Sequence, residues 1–251
     1  MFAAELSGGM WEPGYPSGTK AINFGTAGNM NDRLGYSFAL LSDYGNAYAE
    51  TSDSGEAGES VIPGQMMFCA GVAYRFLNVF SLGLGARYTS QGLGPDALYQ
   101  AVSGTASLMF QAAGIRATAG IKDLGSKLAG EYPLPARAFA GADYTRSFGV
   151  HAVEVAAEAN IYLSGAFSAG AGVSYTFKDM LVARAGYILG GSSATANAIT
   201  LGLGGKYKGV RLDAAYLISA APVGNSFTLG LGFSMQRPPK RPVHIDTEEE
   251  K

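Results

Sequence analysis

Charged side chains are scarce in this chain of 251 residues, where they make up 15%, against about 25% in ordinary soluble domains. That is too thin a polar coat for a soluble protein of this length. Long apolar runs are missing as well. No stretch approaches the ~18 uninterrupted apolar residues of a membrane-spanning helix, because Gly, Ser or a charge breaks every run, and a helical membrane protein is thereby excluded. Cys69 is the only cysteine, which rules out an internal disulfide and any multi-cysteine metal or iron–sulfur centre. Excess positive charge is absent too: 18 basic residues face 20 acidic ones, for a net charge of −2. A nucleic-acid partner is therefore not expected. His151 and His244 are the two histidines, and neither has neighbouring ligands at metal-binding spacing. No cofactor and no metal are expected. Met1 to Trp11 lack the basic start, apolar centre and small-residue cleavage site of a signal peptide, so either such a signal has been trimmed or the sequence is an engineered form.

What the chain has in abundance is glycine, with 36 residues, and aromatics, with 14 Tyr and 13 Phe. They are arranged with a period of two. Phe227, Leu229, Leu231, Phe233 and Met235 alternate with Ser226, Thr228, Gly230, Gly232 and Ser234. Phe80 to Thr89 and Phe167 to Phe177 repeat the pattern. A period of two means strands. Read throughout, it predicts fourteen of them: 2–11, 19–29, 31–41, 64–77, 79–90, 98–110, 113–122, 134–147, 149–163, 166–177, 180–190, 196–207, 209–217 and 225–236. Most exceed the ~5–6 residues of a soluble strand and match the ~9–11 that cross a bilayer at a tilt.

The connections alternate between long and short. The long ones are 12–18, 42–63, 91–97, 123–133, 191–195 and 218–224. The short ones centre on Asn29 to Asn31, Asn78, Gln111-Ala112, Phe148, Lys178-Asp179 and Lys208-Gly209, and Ser164-Gly165 is a tight turn where a long loop is due. Outer-membrane barrels pair long extracellular loops with short periplasmic turns. The expected fold is thus all-β, an antiparallel transmembrane barrel of about fourteen strands over residues 1–236, in the outer membrane and in contact with its lipid. Residues 237–251, running from Arg-Pro-Pro-Lys-Arg-Pro to Glu248, Glu249 and Glu250, are expected to form a disordered periplasmic tail.

One face of each strand is apolar and the other is small or polar, which suits a lipid-facing wall around a crowded lumen. Strand parity sends Glu5, Arg75, Arg87, Arg116, Lys122, Arg137, Asp143, Glu154, Glu158, Arg184, Arg211 and Asp213 inward. On the lipid face at mid-bilayer an Arg or Lys would cost roughly 2–4 kcal/mol. Tyr74, Tyr88, Tyr144, Tyr175, Tyr187, Tyr207 and Tyr216 fall on the outer face, as an interfacial aromatic girdle requires. Glu154 and Glu158 share a strand face with Asn160, but carboxylates facing arginines form a structural network more readily than an acid–base pair, and no nucleophile accompanies them. No catalytic residue is assigned and the chain is not expected to be an enzyme. Cys69 is expected inward beside Gly71 and Ala73, and Gly-Leu-Gly-Gly at 202–205 lies within an alternating strand without the lysine-serine of a nucleotide loop.

Several stretches resemble the PorV/PorQ family of Bacteroidetes outer-membrane proteins, relatives of FadL-type transporters. They are Gly71-Val-Ala-Tyr-Arg-Phe, Phe80-Ser-Leu-Gly-Leu-Gly-Ala-Arg-Tyr, Ile121-Lys-Asp-Leu-Gly-Ser-Lys, Tyr132-Pro-Leu-Pro, Leu181 to Tyr187, Gly202 to Leu217 and Gly224 to Ser234. The resemblance implies a FadL-like barrel. It further implies a binding or shuttle role in type IX protein secretion and surface attachment, with a translocon and secreted cargo carboxyl-terminal domains as partners. Loops 42–63, 91–97 and 123–133 are then the expected contacts, because loops on a rigid scaffold carry recognition. The Asn-Pro-Ala-Gly hatch segment that precedes the family's first strand has no counterpart in this sequence: its true absence would argue against a plugged lumen, whereas its trimming would remove the family's most diagnostic piece. The alternative implied by the FadL relationship is a transporter of hydrophobic small molecules, with Phe139, Met109 and Leu217 as candidate pocket residues.

Overall fold

The computed structural model describes residues 2–11, 19–51, 55, 57–92, 98–128, 132–191, 196–220 and 224–235. Alternating residues form long strands wherever the sequence keeps a period of two. These are β1 (Phe2–Trp11), β2 (Lys20–Asn29), β3 (Leu34–Tyr44), β4 (Tyr48–Thr51), β5 (Ala57–Val61), β6 (Gly64–Arg75), β7 (Phe80–Gly92), β8 (Leu98–Ala112) and β9 (Ile115–Gly125). Then follow β10 (Lys127–Leu128), β11 (Tyr132–Pro133), β12 (Arg137–Phe148), β13 (His151–Tyr162), β14 (Phe167–Phe177), β15 (Leu181–Gly190), β16 (Ala198–Tyr207), β17 (Val210–Ser219) and β18 (Ser226–Met235). Fourteen of them form one closed antiparallel barrel, with β1 sealed to β18 from Phe2↔Met235 to Trp11↔Ser226. Closure satisfies every edge of the barrel's strands, which an open sheet in lipid cannot do. No helix occurs among the described residues.

The distribution of side chains is that of a globular protein turned inside out. Among the described residues, the buried apolar ones are three alanines, Ala101, Ala136 and Ala198, while Thr89, Ser103, Asp123, Asn160 and Ser168 are the buried polar ones. The outer wall is lined by exposed large hydrophobics, among them Leu203, Leu212, Val102 and Leu84. Such a continuous apolar surface is untenable in water and is what hydrocarbon demands.

One end of the barrel is closed by tight turns. Ala113-Gly114 and Lys208-Gly209 carry positive φ at both positions, the conformation that fits the twist of a two-residue hairpin. The third strand runs three residues further along the chain than its pattern suggests, from 34 to 44 rather than 31 to 41. The cause is Asn31, whose side-chain oxygen accepts hydrogen bonds from the Arg33 and Leu34 amides at 2.8 and 2.7 Å and holds the chain in a turn.

Two expected loops contain structure. Within 42–63, β4 and β5 pair as a small hairpin, and within 123–133, β10 pairs with β11 while β9 continues to Gly125. These pairings bring polar, Gly-interrupted segments together without an apolar face, so a period-two search passes over them. The tight connection at Ser164-Gly165 is present, with Gly165 at φ 87°. Loop 12–18, positions 93–97, 192–195 and 221–223, and the tail from 236 lie outside the described residues.

Candidate functional site

The candidate site is the lumen wall. In an antiparallel ladder, directly paired residues share a face, so the registers place each sequence-predicted charge. Arg137 pairs with Lys122, Asp143 with Arg116, Glu158 with Gly141, Arg184 with Gly202, and Asp213 with Gly204 and Gly230. Arg87 shares its face with Cys69 and Ser103, Glu5 with Gly232, and Arg75 with Ser81. The greasy residues Leu6, Phe68, Leu203 and Leu231 sit on the opposite parity.

These charges gather in three groups. Near the turn end, Asp213 takes a hydrogen bond from the Arg184 guanidinium at 2.9 Å and another from Arg211 on its own strand. Gly204, opposite Asp213, leaves the room this needs, since a Cβ there would lie 2.5 Å from the Asp213 carboxylate. On the neighbouring wall, Arg116 donates to Asp143 at 2.8 Å, and the Thr145 hydroxyl donates to Glu154 at 3.3 Å. Glu158 accepts from the Asn160 amide at 3.1 Å. Glu154 and Glu158 are thus each held by a neutral donor.

The third group lies toward the loop end and contains Asp123, a residue that alternation alone assigns to a loop. Asp123 is 2% exposed, hydrogen-bonded to Arg87 and 3.3 Å from Arg137. A β-bulge puts it there. Between the pairs Gly104↔Leu124 and Ala106↔Ile121, one β8 residue opposes two on β9, and Asp123 adopts φ +63°. Two consecutive side chains, Lys122 and Asp123, consequently face the lumen, which a regular strand forbids. The signal was present in the sequence: the apolar residues Ile121 and Leu124 are three apart instead of two or four, which marks a phase slip of one residue. Beyond the bulge, Ser126 and Val102 exchange a pair of 2.9 Å hydrogen bonds that pin β9 to β8.

Below this cluster the wall opens into a cavity of about 820 Å³. Ala27, Leu41, Met67 and Cys69 line it with small residues such as Gly83 and Ser107, and Arg87, Lys122 and Arg137 reach its rim. A smaller cavity of about 360 Å³ is lined by Phe139, Thr118, Asp143 and Glu158. Of the three expected pocket residues, Phe139 lines that smaller space, whereas Met109 and Leu217 face inward by register without lining either of these cavities. Among the described residues, no cluster of three or more His, Cys, Asp or Glu side chains is arranged to hold a metal ion.

No protein-family model matches the sequence, and no curated protein matches it. The three-dimensional comparison does find relatives of fold. The chain is similar to a FadL homologue of Pseudomonas aeruginosa, with a TM-score of 0.58, 13% identity and coverage of 94% of this chain and 90% of that one. It is similar to the toluene transporter TodX of P. putida, with a TM-score of 0.58, 10% identity and the same coverages. It is also similar to the outer-membrane protein Omp33 of Acinetobacter baumannii, with a TM-score of 0.57, 8% identity and coverage of 93% and 98%. At such identities the likeness concerns the fold, because function resides in sites and not in architecture. The chain is a closed fourteen-strand antiparallel barrel with the fold of FadL-like bacterial outer-membrane proteins.

Proposed function

We propose that this protein is a non-enzymatic outer-membrane barrel that takes small, largely apolar molecules into its lumen, with its tight turns and carboxyl terminus on the periplasmic side. The observation that carries this reading is the cavity of about 820 Å³ walled by Ala27, Leu41, Met67 and Cys69. Its size falls in the ~300–1,000 Å³ range of small-molecule sites, and apolar walls with few polar groups are their usual chemistry. The arginines of the lumen network are largely committed to Asp123, Asp143 and Asp213, so those nearest the pocket, Arg87 and Arg137, are engaged with Asp123 at its rim and the wall below is made mainly of small and apolar residues. The fold likeness to TodX, a toluene transporter, supports the same class of ligand.

The test is equilibrium dialysis of radiolabelled toluene against the full chain in mild detergent, with empty micelles as the blank. Saturable binding that disappears in Met67→Arg, which fills the cavity, is expected. Uptake no greater than that of empty micelles refutes the reading.

A second reading, the shuttle role in type IX secretion, draws on the resemblance of the closing strands to the PorV/PorQ family and on the β4–β5 hairpin that stands in the longest described loop-end connection. Affinity capture of the full chain from its native membrane, followed by mass spectrometry, addresses it. Recovery of a translocon or of secreted proteins sharing a carboxyl-terminal β-domain favours it, and a barrel carrying lipid alone removes it.

A further inference from the structure

The outward face of the turn end is divided into two unlike arcs. Three of its tight turns, β12–β13, β14–β15 and β16–β17, follow one another round the wall. Each carries a cation laid over an aromatic ring. The Arg146 guanidinium stands 5.1 Å from the Phe148 ring centre, the Lys178 ammonium 5.2 Å from Phe177, and the Lys208 ammonium 5.2 Å from Tyr207. Arg146 faces outward because its neighbours Asp143 and Thr145 are engaged in the lumen with Arg116 and Glu154. Lys178 and Lys208 are exposed at the turns themselves. His151 joins the patch, with Nδ1 2.6 Å from the Tyr175 hydroxyl and its ring against Phe177. The sole carboxylate in these three turns is Asp179.

On the other arc, among the described residues, no cation is laid over a ring, and Arg75 at the end of β6 shares the lumen face with Ser81. Asp32 and Arg33 offset each other in the β2–β3 turn, and the turns at Phe76 to Val79 and Ala113-Gly114 carry no charge. Its aromatics stack on one another instead, Phe76 on Phe80 at 6.1 Å and Phe80 against Phe110 at 5.3 Å.

A ring face both attracts a cation and fixes its depth, and aromatic rings settle where hydrocarbon meets headgroups. The three cations therefore stand at headgroup level on a surface that is continuous with the lipid-facing wall. Clustered basic side chains at that depth attract anionic lipid, and the phosphate oxygens accept charge-assisted hydrogen bonds from them. We propose that the β12–β17 arc of the turn end is a docking site for anionic phospholipid headgroups, engaged by Arg146, Lys178 and Lys208, and that the opposite arc is not.

The proposal is tested by native mass spectrometry of the full chain in mild detergent with equal amounts of phosphatidylglycerol and phosphatidylcholine. Phosphatidylglycerol adducts are expected to exceed phosphatidylcholine adducts about five- to tenfold. The preference should collapse in the triple variant Arg146→Gln, Lys178→Gln, Lys208→Gln and persist in Arg33→Gln on the opposite arc. Equal retention of the two lipids by the wild-type protein overturns the proposal, as does a preference that survives the triple change. If the triple variant does not fold, Lys178→Gln and Lys208→Gln, at exposed turns, are read singly: a partial loss in each supports the site, and no loss in either overturns it.

Discussion

Asp123 and Asp213 occupy matching situations at opposite ends of the lumen, each between two arginines, yet they are built differently. Asp213 sits in regular register, is 18% exposed, and its partners Arg184 and Arg211 are 40% and 45% exposed. Asp123 reaches the lumen through a bulge at positive φ, is 2% exposed, and its partners Arg87 and Arg137 are 23% and 20% exposed. The first group remains in water and gains little from pairing. In the second, water has been traded for the pair, so each ion depends on the others. The same three charges thus form a tunable surface at one end and a structural clamp at the other.

The largest expected effect comes from Asp123→Ala, which strands two half-buried guanidinium groups and should cost about 3 kcal/mol, read from urea unfolding of the barrel in lipid vesicles. A cost below about 1 kcal/mol would erase the contrast between the clusters. Asp123→Gly sharpens the same point. It removes the charge but suits φ +63°, so it should be less damaging than Asp123→Ala by about 1 kcal/mol, and the difference between the two measures the backbone's share. Asp213→Ala should cost about 1 kcal/mol or less in the same assay, because its arginines stay hydrated. Equal losses for Asp123→Ala and Asp213→Ala would show that burial does not separate them. Smallest of all, Gly204→Ala should shift the Asp213 carboxylate at a cost of about 0.5 kcal/mol, since the tight contact of a Cβ there is with a side-chain carboxylate and its backbone neighbour, the Leu212 oxygen, stays at an ordinary 3.5 Å. A change in single-channel conductance without a change in unfolding midpoint is the expected signature.

Much of the architecture was legible in the chain. The alternation in Phe227 to Met235 and its repeats specifies the fourteen strands of the barrel and their apolar face, and the parity of Arg87, Arg184 and Asp213 follows from the same rhythm. The start of β3 was misplaced because Asn31 acts through a side-chain turn, which alternation does not register. Alternation stops at the phase slip after Lys122, so it assigns Asp123 to a loop although β9 continues through the bulge. The β4–β5 hairpin was missed because its strands lack a greasy face.

What the sequence determined by itself is whatever a period of two can encode: long strands, two contrasting faces and a lipid-facing wall. That signal is local, carried by neighbouring residues whose side chains must alternate. What only the tertiary structure decided is partnership. Arg87 meets Asp123 across 36 residues and Arg184 meets Asp213 across 29; the first pairing requires the bulge and the second a strand register. The aromatic-backed cations of β12–β17 form one arc because each strand pairs with the next, which sets three successive hairpins side by side. Those juxtapositions depend on turn geometry, register and barrel closure acting together, and no stretch of sequence contains them alone.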